Sequence, residues 1–339
     1  MQQRSLVLVR LLATMVVAAL LSTPSSAAAQ AGEYEPPRTS WGAPDLQGVW
    51  DFRTLTPFER PVELGERAVL SAEEVAEFEA RRLAEFAVRD DQEPADVVGN
   101  YNQFWFDPGN TAVETRRSSL VIDPPNGRIP ALTSAAAQRR AELERVRRGL
   151  LMHDVTPGGW VEDMGPDALQ VRCIVGFNSG PPMTPGGYNQ NVQLFQTEDH
   201  VVLLNEMVHN ARIVPLDGRP HLDGGIRQWT GDSRGYWDGD TLVVETTNFL
   251  RETGFRRGSS DQYLHLTERF TRVSPSTLMY EATIDDPTVW TEAWTYEIPM
   301  QHNDQPMYEY ACHEGNYGLY NMLAGAREAE RAAEAAASR

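Results

Sequence analysis

Apolar and polar positions alternate with a period of two along much of the C-terminal half of the chain. The segments Val192–Gln196, Val201–Val214, Ile226–Trp229, Thr241–Phe249, Leu264–Val273, Leu278–Ile284 and Thr291–Ile298 carry this β-like pattern. Asp238-Gly239 lies between Trp237 and the apolar run Leu242-Val243-Val244. That dipeptide predicts a two-residue hairpin, whose central positions favour residues that tolerate positive φ. Strands spaced this regularly, without helices between them, predict an antiparallel meander. A meander of this length has to close or stack to manage its edges. The chain therefore reads as mainly β, a barrel-like sheet with peripheral helices and long loops.

The N-terminal half is more mixed. Asp45–Phe52 reads as a first strand, and Ser118–Ile122 as another that ends in the turn Pro124-Pro125-Asn126-Gly127. Ser71-Ala72-Glu73-Glu74 is a capping box that opens a charged helix over 71–89, with Val75, Phe78, Leu83 and Phe86 near one face. Residues 134–149 predict an arginine-rich covering helix, and Leu319–Arg339 an Ala- and Glu-rich one. Glycine and proline crowd Thr156–Gly187, which predicts irregular chain, and Asn100–Asn110 is an aromatic loop.

The first residues have a different character. Arg4 and Arg10 precede the apolar run Leu11–Leu21, which gives way to Ser22-Thr23-Pro24 and then Ala27-Ala28-Ala29. This order of positive, apolar and small residues predicts a cleavable secretory signal over 1–29. The apolar run is shorter than the roughly 20 residues of a membrane-spanning helix. The expected organisation is a signal over 1–29, a flexible tail over 30–44, one elaborated β domain over 45–325, and a helical tail over 326–339. The protein is expected in the periplasm or outside the cell, with no membrane span after cleavage.

Charge narrows the partners. The formal net charge of the 339 residues is −18, and loss of Arg4 and Arg10 with the leader takes it to −20. Nucleic acid is excluded as an expected partner, because binding it requires a basic surface. All 30 basic residues are arginine, and lysine is absent. This reflects either a compositional preference or a need for guanidinium forks toward carboxylate or phosphate ligands. Cys173 and Cys312 are the two cysteines, and in an exported chain they predict one disulfide. Without C-x-x-C or C-x-x-C-H, a thioredoxin-like site and covalent haem are not expected.

Asp45-Leu46 followed by Gly48-Val49-Trp50 resembles the G-x-W first strand of lipocalin-like (calycin-like) barrels. The chain after the leader also resembles a family of exported bacterial proteins. The likeness rests on Asn102-Gln103-Phe104-Trp105, Gly176-Phe177-Asn178-Ser179-Gly180-Pro181-Pro182, Gly231-Asp232-Ser233-Arg234-Gly235 and His313-Glu314-Gly315-Asn316-Tyr317. The first resemblance implies a lipocalin-like barrel, and the second implies no particular activity.

Several groups of residues are suited to chemistry. Gly231-Asp232-Ser233-Arg234-Gly235 matches G-x-S-x-G, but a nucleophile elbow needs a strand, a sharp turn and a helix, whereas a hairpin follows here. A glycine-punctuated turn is the preferred reading. On a strand, Glu206 and Arg212 share one face as an ion pair or ligand fork, while His209 points to the other. The run Tyr308–Tyr317 concentrates proton-transfer groups beside Cys312. There His313, with Glu314, is a candidate general acid or base, Tyr317 a proton donor, and Asn316 a hydroxyl or oxyanion binder. The expected catalytic set is thus His313, Tyr317, Glu314, Glu206 and His209. His221, Arg227, Asp232, Arg234 and His265 join Asn316 and Arg212 as binding candidates, with Trp105, Trp229 and Trp237 as stacking walls.

No cofactor is expected, since neither H-x-H nor H-E-x-x-H occurs; a divalent metal or a haem with one axial histidine remains an alternative. Two functions fit a small-molecule partner. One is an exported enzyme that uses acid/base chemistry for elimination, hydration, isomerisation or hydrolysis in a polar-aromatic barrel pocket. The other is a lipocalin-like periplasmic protein that binds an amphipathic molecule without transforming it. Convergent ionisable groups would favour the enzyme, and a deep apolar interior would favour the carrier.

Overall fold

The computed structural model describes residues 34–90, 106–150, 154–157, 168–251, 253–255, 258–259 and 263–338. The expected signal, Trp105 and most of the aromatic loop lie outside the described residues. Residues 36–339 form one compact unit.

A ten-stranded antiparallel sheet dominates that unit. Its strands are β1 (Gly48–Asp51), β2 (Val121–Asp123), β3 (Asn191–Gln196), β4 (His200–Asn205), β5 (Ala211–Pro215), β6 (Asp232–Asp238), β7 (Thr241–Thr247), β10 (His265–Arg272), β11 (Thr277–Asp285) and β12 (Trp294–Asn303). Two-residue strands β8 (Gly254–Phe255) and β9 (Gly258–Ser259) form a separate ribbon. Among the described residues there are four α-helices: α1 (Ala72–Asp90), α2 (Ser134–Val146), α3 (Ala168–Val171) and α4 (Tyr317–Ala337).

The sheet order is β5-β4-β3-β1-β12-β11-β10-β7-β6, with β2 added to β12 across a bulge. It consists of two meanders, β3–β5 and β6–β12, joined by the first strand. β1 pairs with β12 on one side and β3 on the other, so Trp50 lies opposite both His302 and Val192. Hydrogen bonding leaves the sheet open at β5 and β6. These two ends meet through side chains: a Cβ on Gly235 would stand 2.7 Å from Leu216 and 2.9 Å from Val214.

Period two sorts the inner face as the sequence pattern predicts. Leu266 and Phe270 of β10, Leu278, Tyr280, Ala282 and Ile284 of β11, and Trp294, Tyr296, Ile298 and Met300 of β12 are fully buried. The leucine, isoleucine, phenylalanine and methionine side chains among them each contribute about 1.5–3 kcal/mol by leaving water. Met183, from the irregular 176–187 segment, is seated in this interior: its N–H donates to Tyr280 Oη at 3.0 Å, and its carbonyl accepts from Tyr296 Oη.

Three strand expectations change. Val201–Val214 is not one strand but the hairpin β4–β5, because Val208 and His209 adopt φ of 61° and 54°, conformations that no strand accommodates. Ile226–Trp229 is not a strand of the sheet. It lies along the end of β7, where Gln228 makes a single parallel bridge to Phe249. Thr291–Ile298 begins its pairing only near Trp294. The Asp238-Gly239 hairpin forms as expected, with Gly239 at φ 60° between β6 and β7. The Ser71 capping box also forms: Glu74 N donates to Ser71 Oγ at 3.2 Å, and Ser71 N donates to Glu74 Oε2 at 2.9 Å.

Among the described residues, no helix is long and apolar enough to cross a membrane. The Cys173–Cys312 disulfide is present, and it ties the end of α3 to the segment before α4.

Candidate functional site

The sequence-nominated residues are dispersed. Near Cys312, Asn316 caps α4: its Oδ1 accepts from Leu319 N at 3.1 Å, and its Nδ2 donates to Val171 O at 3.0 Å. His313, Glu314 and Tyr317 around it are exposed, and Tyr317 retains 75% of its accessible surface. This cluster is a disulfide-pinned helix start whose charged groups face outward. Glu206 does not pair with Arg212. It sits in the β4–β5 connection, where its Oε2 accepts from Asn191 N at 3.2 Å and Asn191 Nδ2 at 2.7 Å. His209, at positive φ in the same connection, is exposed.

Arg212 instead enters the sheet interior. Its guanidinium forms a two-point ion pair with Glu268 of β10, with Nη2 at 2.9 Å from Oε1. Tyr280 Oη donates to the same oxygen at 2.8 Å. Burial works against the charge on Arg212, but Glu268 more than offsets it and holds the guanidinium above its ordinary range. Burial raises the Tyr280 phenol well above its usual value, and the neighbouring Glu268 adds to this. Glu268 was not foreseen as a site residue. Its signal is an acid between Leu266 and Phe270 on the apolar phase of a strand. The network is enclosed and internally satisfied, as a structural element should be.

His265 is half-buried, opposite Asp285 in the β10–β11 register. Trp237 packs partly buried against the core. Trp229 is half-buried, and its carbonyl accepts from Thr253 Oγ1 at 2.8 Å. Arg227 Nη1 donates to Phe249 O at 3.2 Å. Ser233, the serine of the G-x-S-x-G match, points into the sheet, where its hydroxyl lies 2.8 Å from Thr246 Oγ1. No helix follows it, so it lacks the setting of an elbow nucleophile.

Three nominated residues do converge. Asp232, the first residue of β6, faces outward from Ser233 and bridges His221 and Arg234. Its Oδ2 is 3.0 Å from His221 Nδ1 and accepts from Leu222 N at 2.9 Å, while its Oδ1 accepts from Arg234 Nη1 at 2.7 Å. A carboxylate oxygen can only accept, so Nδ1 is the protonated nitrogen of the neutral His221 imidazole, and Nε2 then carries the lone pair. Nε2 is buried and, among the described residues, has no hydrogen-bond partner. Arg234 is held in place by Nε to Pro220 O at 3.1 Å and Nη1 to Ser233 O at 2.7 Å. The β5–β6 connection is fastened beside this cluster by Asn248 Nδ2, which donates to Leu222 O at 3.0 Å.

Two other histidine–aspartate pairs show why this one is distinctive. His200–Asp199 and His302–Asp304 join sequence neighbours, and their aspartates are 67% and 91% exposed. Asp232 is only 5% exposed and is reached from ten or more residues away. An exposed pair is worth little and holds no fixed geometry, whereas a buried carboxylate fixes both the tautomer and the ring orientation.

Among the described residues, no three His, Cys, Asp or Glu side chains gather as metal ligands. No protein-family model matches this chain, and neither a curated protein nor a solved structure does.

Proposed function

We propose that the chain is an exported enzyme that performs acid/base chemistry on a small polar molecule, with the reaction centred on His221, Asp232 and Arg234. The observation that carries this reading is the buried carboxylate of Asp232, which holds an imidazole on one oxygen and a guanidinium on the other, while His221 Nε2 has no hydrogen-bond partner among the described residues. A buried polar atom without a partner calls for an explanation, and a base directed at a substrate proton supplies one. Nε2 takes the proton, Asp232 stabilises the imidazolium that forms, and Arg234, whose Nε and Nη1 are already engaged, offers its remaining Nη2 to an anionic oxygen of the substrate. Elimination, hydration, isomerisation and hydrolysis all fit this arrangement.

The disulfide is consistent with export through the predicted signal. The contact of Val214 and Leu216 with Gly235 supports a sheet that curls into a lipocalin-like barrel. The carrier reading is less favoured, because the inward positions are filled by large side chains and by Met183 rather than lining a hollow.

The test is incubation of the purified protein with glycosides, sugar acids, aromatic acids and terpenoids, with consumption followed by proton NMR. The reading expects a compound that wild type consumes and that His221→Gln, folded with an unchanged melting temperature, leaves intact. A compound whose binding is weakened by His221→Gln but which wild type returns unchanged would transfer the protein to the carrier class. Consumption unaffected by His221→Gln would refute the proposed site.

A further inference from the structure

Helix α1 lies against the 56–70 and 106–117 segments without burying any of its described side chains. Val75, Phe78 and Phe86 on its inner side are only half-buried, although an apolar stripe ordinarily packs into a core. Polar contacts hold the helix in place. Glu79 Oε1 accepts from Ala112 N at 2.7 Å, and Glu74 pairs with Arg67. Beneath it lies a cleft of about 500 Å³ with a mixed lining, apolar from Pro57, Leu64, Leu70, Val75 and Phe78 and charged from arginines and glutamates. A second cleft of about 220 Å³, walled by Phe58, Phe86 and Phe106, shares Thr56, Pro57 and Arg82 with it.

The cations at this cleft differ in how far they are already engaged. Arg67 and Arg82 are paired with Glu74 and Glu85. Arg81 lies over Phe78 at 5.6 Å and has no carboxylate within ion-pair distance among the described residues. Arg117 is paired more loosely, its shortest contact with Glu297 being Nε to Oε1 at 3.5 Å. The Arg117 backbone is fixed by a bridge to Val69, with Ser118 N donating to Ala68 O and Leu70 N to Arg116 O. Glu63 and Glu77 at the rim are exposed to water.

We propose that this cleft binds an amphipathic monocarboxylate, its apolar body under α1 and its carboxylate on the guanidinium of Arg117, with Arg81 at the entrance. A planar fork suits a carboxylate better than a point charge does, and the volume falls in the range of small-molecule pockets. This site is separate from the His221 cluster and does not depend on the chemistry there.

Isothermal titration of the full chain with dodecanoate, below its micellar concentration, tests the proposal, with dodecyltrimethylammonium as the cationic counterpart. Saturable one-to-one binding of dodecanoate is expected, with the cation at least about tenfold weaker. Arg117→Met is expected to weaken dodecanoate about tenfold or more. Val75→Trp should block the cleft without altering its charge, and it decides the matter if Arg117→Met fails to fold. His221→Gln should bind as wild type does, which separates this site from the proposed reaction centre. Absence of dodecanoate binding, equal affinity for the cation, or unchanged binding by folded Arg117→Met or Val75→Trp would each overturn the proposal.

Discussion

Arg212 of β5 and Glu268 of β10 grip each other across the sheet interior, joining the strand at one end of the hydrogen-bonded path to one close to the other end. Arg212 Nη1 also lies 3.5 Å from Thr246 Oγ1 of β7, and Tyr280 ties Glu268 to Met183. The interior thus links β5 to β10, strands that no backbone hydrogen bond connects among the described residues.

This relationship predicts a particular mutational pattern. Glu268→Gln or Arg212→Met alone leaves a buried charge without its partner and should cost about 3–5 kcal/mol in urea unfolding. The double replacement Arg212→Met with Glu268→Leu should recover much of that loss, because the attraction between two buried charges only partly offsets their desolvation. Additive losses in the double variant would mean that the pair contributes through other contacts.

On the outer face, Glu281 of β11 stands directly opposite Glu297 of β12. Burial raises the carboxyl of Glu297 above its ordinary value of 4.5, and Glu281 raises it further, against the pull of Arg117. Burial likewise raises Glu281. A carboxyl raised in the folded state keeps its proton longer there than in the unfolded chain. Its contribution is therefore most favourable below the unfolded value, and it is lost as pH rises through the folded one. Glu297→Gln should match wild type in melting temperature near pH 4 and exceed it at pH 7. A lower melting temperature at pH 7 would show that the contact with Arg117 dominates.

The disulfide spans 139 residues and closes the chain between α3 and α4. By loop-closure entropy, replacing both cysteines with serine should cost up to about 5 kcal/mol. A melting temperature unchanged in the double serine variant would show that the reduced chain is already restrained there.

The sequence carried the strand alternation, the Asp238-Gly239 hairpin, the capping box and the cysteine pairing, because each of these is local or has only two participants. The placement of β1 between β12 and β3 was not legible, since nothing local in Gly48–Asp51 specifies partners far along the chain. The chemistry followed the same division. Of the polar residues around His313, Asn316 caps a helix, while His313, Glu314 and Tyr317 are exposed. His221 and Asp232 were nominated separately, but their union depends on how the β5–β6 connection folds back on β6. The cleft under α1 left no motif, because its walls come from several segments of the chain.

The most direct test of the central claim is long-range proton–nitrogen NMR of the His221 imidazole at mildly alkaline pH, in wild type and in Asp232→Asn. The account predicts a wild-type ring protonated at Nδ1 with an unprotonated Nε2, and a mixture of tautomers once the carboxylate is removed. A wild-type ring protonated at Nε2 would contradict it, because that nitrogen could not then accept a substrate proton.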